Sequence, residues 1–360
     1  MFQLKSRVLW PPVPVSQLSV TLSGAYCRQL VSSHYESLLE EEWRERTHQS
    51  EAGGRSINSP LFRLHDTSLP GDCVAPSCRA GLTCQCANRV VLVNDNDKVD
   101  LRVGLSCTKD SVSTKMPSIL CSNLAYIGYE LCKKPQMFLA ATITNHVIFL
   151  TQDGYIPLVR KQLFDDAKQG SIKRRVTRTG SRSGGRTGSL NENPTKPATN
   201  QNLLAKWALP NISPDPLETE VQEVKNLVSL HSDSAKEEIV GSVVRCLQDI
   251  FGVKDLTHSQ ISLLAVIYDK EHNNKPELLY IVKSKLTSAK LAEKSSSNMY
   301  DLAFLQGSDK EALAGDSLPL YRAGNTTPQP VNCLMVSDIL REVLALTQMF
   351  GCVEFSALIQ

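Results

Sequence analysis

The segment Glu237-Glu238-Ile239-Val240-Gly241-Ser242-Val243-Val244-Arg245-Cys246-Leu247-Gln248-Asp249-Ile250-Phe251-Gly252-Val253 decides how this chain is read. Ile239, Val243, Val244, Leu247, Ile250 and Phe251 recur at the spacing of one face of an α-helix. Glu238, Ser242, Arg245 and Asp249 follow one another at four, three and four residues on the opposite side, which leaves that side free to line a site. Ser234, with Glu237 three residues later, forms a capping-box pattern, so a helix is expected from Ala235 to Phe251.

On either side of this helix the periodicity changes to that of strands. Ile261 to Tyr268 and Leu278 to Leu286 are expected to pair across a turn at Asn273-Asn274-Lys275-Pro276. A last helix is expected over Asp338 to Met349, with Ser337 as its N-cap and Gly351 just past its end. Upstream, Met137 to Thr144 and His146 to Leu150 read as strand, and Asp153-Gly154 turns the chain into Tyr155 to Val159. A weaker helical pattern runs through Val221, Val224, Leu227 and Val228. This alternation points to an α/β or α+β sandwich over residues 136–360.

Residues 1–135 read as a separate, small α+β domain. Ser33 and Glu36 open a helix on which Val31, Tyr35, Leu38, Leu39 and Trp43 share a stripe. Val90 to Val93 and Val99 to Leu105, with Asn94-Asp95-Asn96-Asp97 between them, read as a β-hairpin.

Length and composition suit this division. The chain has 360 residues, 41% of them hydrophobic, enough for two packed units. Its formal charge is +2, yet Lys168 to Arg186 contributes seven basic residues and no acid, so removing those seven charges leaves −5. A mildly acidic body with one basic stretch does not fit a dedicated nucleic-acid protein, whose basic residues spread over a folded face. Residues 167–205 are poor in large apolar side chains and read as a disordered basic insertion. Its Arg174-Arg175-Val176-Thr177 suits a basophilic kinase, and its charge suits an import factor.

The eleven cysteines are odd in number, and Cys132 and Cys246 fall in helical patterns that suit buried thiols. That favours a reducing, cytoplasmic setting. Cys73, Cys78, Cys84 and Cys86 crowd one loop without the spacing of a zinc site. Pro11, Pro12 and Pro14 break any apolar run near the N-terminus, so neither a signal peptide nor a membrane span is expected.

Glu237, seven intervening residues and then Arg245 to Val253 resemble the Nudix box, which reads Glu, seven residues, then Arg-Glu-apolar-x-Glu-Glu-x-Gly-apolar. Arg245, Leu247, Gly252 and Val253 match, Asp249 stands for one glutamate, and Cys246 and Ile250 replace two others. Trp43-x-x-Arg46, Pro60-x-Phe62-Arg63-Leu64-His65, Leu101-Arg102-x-Gly104-Leu105, Lys109-Asp110, Phe149-Leu150 and Leu286-Thr287-Ser288 are similar to the UDP-glucose pyrophosphatase branch of that superfamily.

The resemblance implies a Nudix α/β/α sandwich with a mixed sheet behind the N-terminal α+β domain. It implies a magnesium-dependent hydrolase that splits a UDP-glucose-like nucleotide sugar into UMP and a sugar 1-phosphate. Asp249 with Glu237 or Glu238 would hold Mg2+, and Arg245 would orient the helix carboxylates. Asn211 and Asp215 would flank the diphosphate, while Thr108 and Ser337 fall at substrate-contacting positions.

The departures weigh against catalysis. Ile250 cannot coordinate a metal and the Cys246 thiol is a poor ligand for magnesium. Where the family has Pro-Gly-Gly-His-Pro-Glu-Pro, this chain has Pro210-Asn211-Ile212-Ser213-Pro214-Asp215-Pro216, which lacks the glycines that let backbone amides approach a pyrophosphate. Thr108 replaces an aromatic residue that contacts the nucleotide. The residues therefore also support a second reading, a catalytically impaired Nudix-fold protein that binds a nucleotide or a protein partner. Glu237 as a cap, Asp249 in a surface pair with Arg245, Asp215 as a turn residue and Ser337 as an N-cap are the corresponding structural roles.

Overall fold

A computed structural model describes residues 5–48, 58–68, 88–94, 97–115, 118–132, 134, 136–161, 206–225, 230–269, 275–295, 300–306, 317–322, 327–332 and 335–349. The basic stretch, the four clustered cysteines and Gly351 lie outside them.

The strands are β1 (Lys5–Pro14), β2 (Leu18–Leu22), β3 (Pro60–Ser68), β4 (Asn88–Leu92), β5 (Val99–Cys107), β6 (Thr144–Leu150), β7 (Tyr155–Lys161), β8 (Asn211–Ile212), β9 (Leu230–His231), β10 (Ile261–Asp269), β11 (Lys275–Lys283), β12 (Tyr300–Gln306), β13 (Ser317–Leu320) and β14 (Gln329–Asn332). The helices are α1 (Ser33–His48), α2 (Thr108–Lys115), α3 (Ile119–Cys132), α4 (Glu218–Lys225), α5 (Asp233–Phe251), α6 (Ser288–Lys294) and α7 (Asp338–Met349). The result is a mixed α/β architecture with several sheets.

The largest sheet has the order β4-β1-β10-β11-β6-β8 and mixes parallel with antiparallel pairs. Strands β10 and β11 form the expected antiparallel pair. β6 sets its odd residues Asn145, Val147 and Phe149 towards α5 and its even residues Ile148 and Leu150 towards α7. A second sheet, β3-β5-β2-β9, closes over the other side of α5, so that helix is packed between two sheets. The face opposite α5 is covered by β7, β12, β13, Trp207 and α7. A third cluster joins α1, α3 and Met137 to Leu139.

The strand-rich N-terminal region departs from the sequence reading in two ways. β1 and β4 belong to the same large sheet as β6, β10 and β11, so that sheet crosses the expected boundary at 135/136. The expected hairpin does not form, although Asp97 N donates to Asn94 O at 2.9 Å. Instead, β4 pairs with β1, while β5 pairs with β2 and β3 in the second sheet. Short-range turn chemistry does not choose the partner strand, which long-range burial of Val91, Val99, Leu101 and Val103 selects. The prolines near the N-terminus do not end β1; its register with β10 shifts between Val8 and Val13, which takes Pro11 and Pro12 out of the ladder.

The motifs of the N-terminal half are architectural. Arg63, 0% exposed, donates to the carbonyls of Tyr26 (2.6 Å), Gln136 (2.6 Å), Leu139 (3.3 Å) and Met137 (3.3 Å). One guanidinium thereby ties β3 to the segment that leads into β6. Gly104 sits where a Cβ would lie 2.2 Å from the Tyr26 carbonyl carbon and 2.4 Å from Cys27 N. Asp110 approaches Arg28 Nε at 3.0 Å, and Glu36 holds the other end of the same guanidinium at 2.5 Å. Glu36 is thus an ion-pair partner as well as a residue of the first helical turn.

Candidate functional site

α5 carries the residues from which the chemistry was expected. Its N-cap is Ser232, whose side chain accepts from Ala235 N at 3.1 Å, rather than Ser234. Ser234 instead donates its hydroxyl to Glu220, a fully buried carboxylate that also accepts from Leu217 N at 2.5 Å. Glu237 is left exposed, 3.5 Å from His258 Nδ1. The helix stops at Gly252, which takes φ 66 and donates its N–H to Gln248 O at 2.8 Å. A left-handed C-cap is what glycine supplies at little cost, so the box glycine has a complete structural reason.

The wet and dry faces differ from the sequence reading at one position. Ser242, expected on the open side, is 0% exposed; its hydroxyl donates to Ile239 O and accepts from Asn145 Nδ2 at 2.9 Å. Cys246 is 3% exposed and Ile250 6%, both within the main core. Burial pushes the Cys246 thiol up to about 12, with Asp249 adding to the rise, so it stays protonated. Cys132, also expected to be buried, is an exposed free thiol; Cys27, Cys107 and Cys121 are free as well.

The remaining outward face presents Arg245 and Asp249, both exposed, and Glu238. Arg245 donates to Glu238 Oε2 at 2.9 Å across two helical turns. With Arg245 48% exposed, such a pair is worth under about 1 kcal/mol. Among the described residues no group of three His, Cys, Asp or Glu side chains is placed to hold a metal ion.

The other expected contacts are scattered. Asn211 lies on β8 beside His146 of β6, exposed, and donates to Leu209 O at 3.0 Å. Asp215 is exposed on the loop that follows. α5 and β8 are neighbours, so these residues share one end of the large sheet with the helix. Thr108 begins α2 and is bonded to Ser59, its Oγ1 3.2 Å from Ser59 O. Ser337 caps α7, accepting from Leu340 N at 3.3 Å.

A polar cluster missed in the sequence lies on the face of β6 and β11 away from α5. His146 Nε2 is 2.8 Å from Glu277 Oε2, Lys275 Nζ is 3.2 Å from Glu277 Oε1, and Lys275 Nζ donates to Thr144 Oγ1 at 2.6 Å. Ser213 completes the chain, 3.3 Å from Thr144. Burial raises the Glu277 carboxyl, but His146 and Lys275 outweigh it and hold the group below its ordinary value. His146 inside a strand pattern was the available signal; its partner is 131 residues away, a separation no local pattern reports.

No described helix is long and apolar enough to cross a membrane. The chain matches no family model, and no curated protein matches it.

Proposed function

We propose that this chain is a Nudix-type protein that binds a nucleotide sugar or a related nucleotide without hydrolysing it. The observation that carries this reading is the burial of Cys246 and Ile250, at 3% and 6% exposure, where the resemblance places metal-binding carboxylates. A magnesium ion asks for several hard oxygen ligands in near-octahedral array. Cys246 offers a buried, protonated thiol and Ile250 no donor, while Glu238 is bonded to Arg245 and Glu237 approaches His258. The residues present do not fit that ion.

The extent of the resemblance, from Trp43 to Ser288, supports the Nudix-type build, and the exposed Asn211 and Asp215 near α5 support a polar ligand at that end of the sheet. The test is incubation with UDP-glucose and Mg2+. Binding raises the melting temperature progressively with the logarithm of ligand concentration above Kd, with no release of UMP. UMP release that disappears in Asp249→Ala would overturn the reading and restore the hydrolase.

A further inference from the structure

A cavity of about 470 Å³ opens at the C-terminal end of β11, lined by Pro12, Ser259, Gln260, Ser262, Ile281, Lys283, Ser284 and Lys285. Ser262 pairs with Ile281 across β10 and β11, and Ile281 packs in the core on the face away from α5. The cavity therefore opens on the other side of the sheet from the helix already discussed. It is also remote from the His146–Glu277 cluster, since Glu277 and Lys283 are six strand residues apart, about 20 Å.

We infer that this cavity is a binding site for a small organic phosphate, with Lys283 and Lys285 as its cationic wall. Three observations converge. Its lining holds two lysines, both exposed, and no carboxylate, so no lining side chain supplies a counter-charge to them. Neither lysine takes part in an ion pair among the described residues, and a phosphate monoester carries the charge that would complement both. Around them stand hydroxyl and amide groups, the donors that satisfy the remaining oxygens of such an ester.

The donors are held in place. Gln260 Oε1 accepts from Thr257 N at 3.0 Å, and its Nε2 donates to Lys283 O at 3.2 Å, which clamps the loop before β10 to the end of β11. Ser284 N donates to Leu150 O at 2.9 Å, and Ser284 Oγ accepts from Leu286 N at 3.0 Å, leaving the Ser284 hydroxyl hydrogen to donate. Ile281, 4% exposed, and Pro12 give the cavity an apolar part against which the organic body rests. The volume falls in the range of about 300–1,000 Å³ usual for small-molecule sites. This site does not depend on the Nudix reading.

Titration calorimetry of the full chain at low salt tests it, with glucose 6-phosphate as probe and glucose and inorganic phosphate as controls. Glucose 6-phosphate binds, inorganic phosphate binds more weakly, and glucose does not bind. Lys283→Ala with Lys285→Ala weakens binding at least about tenfold, the loss of charge-assisted contacts, while the paired arginine replacement retains it. Ser262→Tyr, which fills the cavity with both charges intact, also abolishes binding, and circular dichroism melts confirm that each variant is folded. No binding of glucose 6-phosphate, or an affinity unchanged by the paired alanines, overturns the proposal. Equal affinity for inorganic phosphate overturns the assignment of the organic body to Pro12 and Ile281. These variants leave α5 and residues 211–216 untouched, so their outcome is separate from that of the UDP-glucose assay.

Discussion

His146 Nε2 and Glu277 Oε2 stand 2.8 Å apart on neighbouring parallel strands, both almost fully buried, with Lys275 Nζ 3.2 Å from the other oxygen of the same carboxylate. The Glu277 carboxyl is held below its ordinary value, so the native state binds its proton less readily than the unfolded chain. Its contribution to stability is therefore complete above the unfolded value, about 4.3, and is lost as pH falls through the lower native value. Removing the carboxylate leaves the His146 ring and the Lys275 ammonium without their shared partner. Glu277→Ala lowers stability by about 3–5 kcal/mol in urea unfolding at pH 7, and a loss below about 1 kcal/mol would show the pair to be unimportant.

His65 gives a second limb of acid sensitivity at higher pH. It stacks on Tyr26, lies 2.9 Å from Lys134 Nζ, and faces Arg63. Burial first, and then these two cations, lower it to about 4. Protons enter the unfolded imidazole between about pH 6.5 and 4 while the native one stays neutral, so stability falls as pH drops through that window. His65→Leu flattens the urea midpoint across that window; an unchanged slope would place the titration elsewhere.

Arg63→Lys does not substitute for arginine. The ammonium has three donors at one point, whereas the guanidinium reaches four separate carbonyls. The orphaned buried acceptors cost about 3 kcal/mol or more together, read as a lowered denaturation midpoint.

Two glycine-to-alanine changes move stability in opposite directions. At Gly104 the new methyl would overlap the Tyr26–Cys27 backbone at 2.2–2.4 Å, so Gly104→Ala costs about 4 kcal/mol or prevents folding. At Gly241, inside α5, it meets only the Arg245 side chain at 3.6 Å, and the change stabilises by about 1 kcal/mol. Thermal melts of both variants check the pair.

Thiol labelling reports the orientation of α5. At pH 8 Cys132, exposed, reacts with iodoacetamide, whereas Cys246 stays unmodified until the chain is unfolded. Rapid labelling of native Cys246 would turn that position outward and remove the main support for the non-catalytic reading.

The sequence by itself determined the local elements. α5 ends at Gly252 because glycine takes the left-handed cap, α7 starts behind Ser337, and β10 and β11, two short apolar runs close in sequence, pair with each other. It also showed that the resemblance to the Nudix box lacks two of that box's carboxylates, at Cys246 and Ile250. Only the tertiary structure decided which strands meet, so that β4 leaves β5 for β1 and the large sheet gathers strands from both halves of the chain. It likewise turned Ser242 inward, made Arg63 a structural tie, and joined His146 to Glu277. The physical reason is range. Helix periods, caps and turns are set by residues a few positions apart, whereas burial between two sheets and the pairing of buried charges are settled by partners far away in sequence.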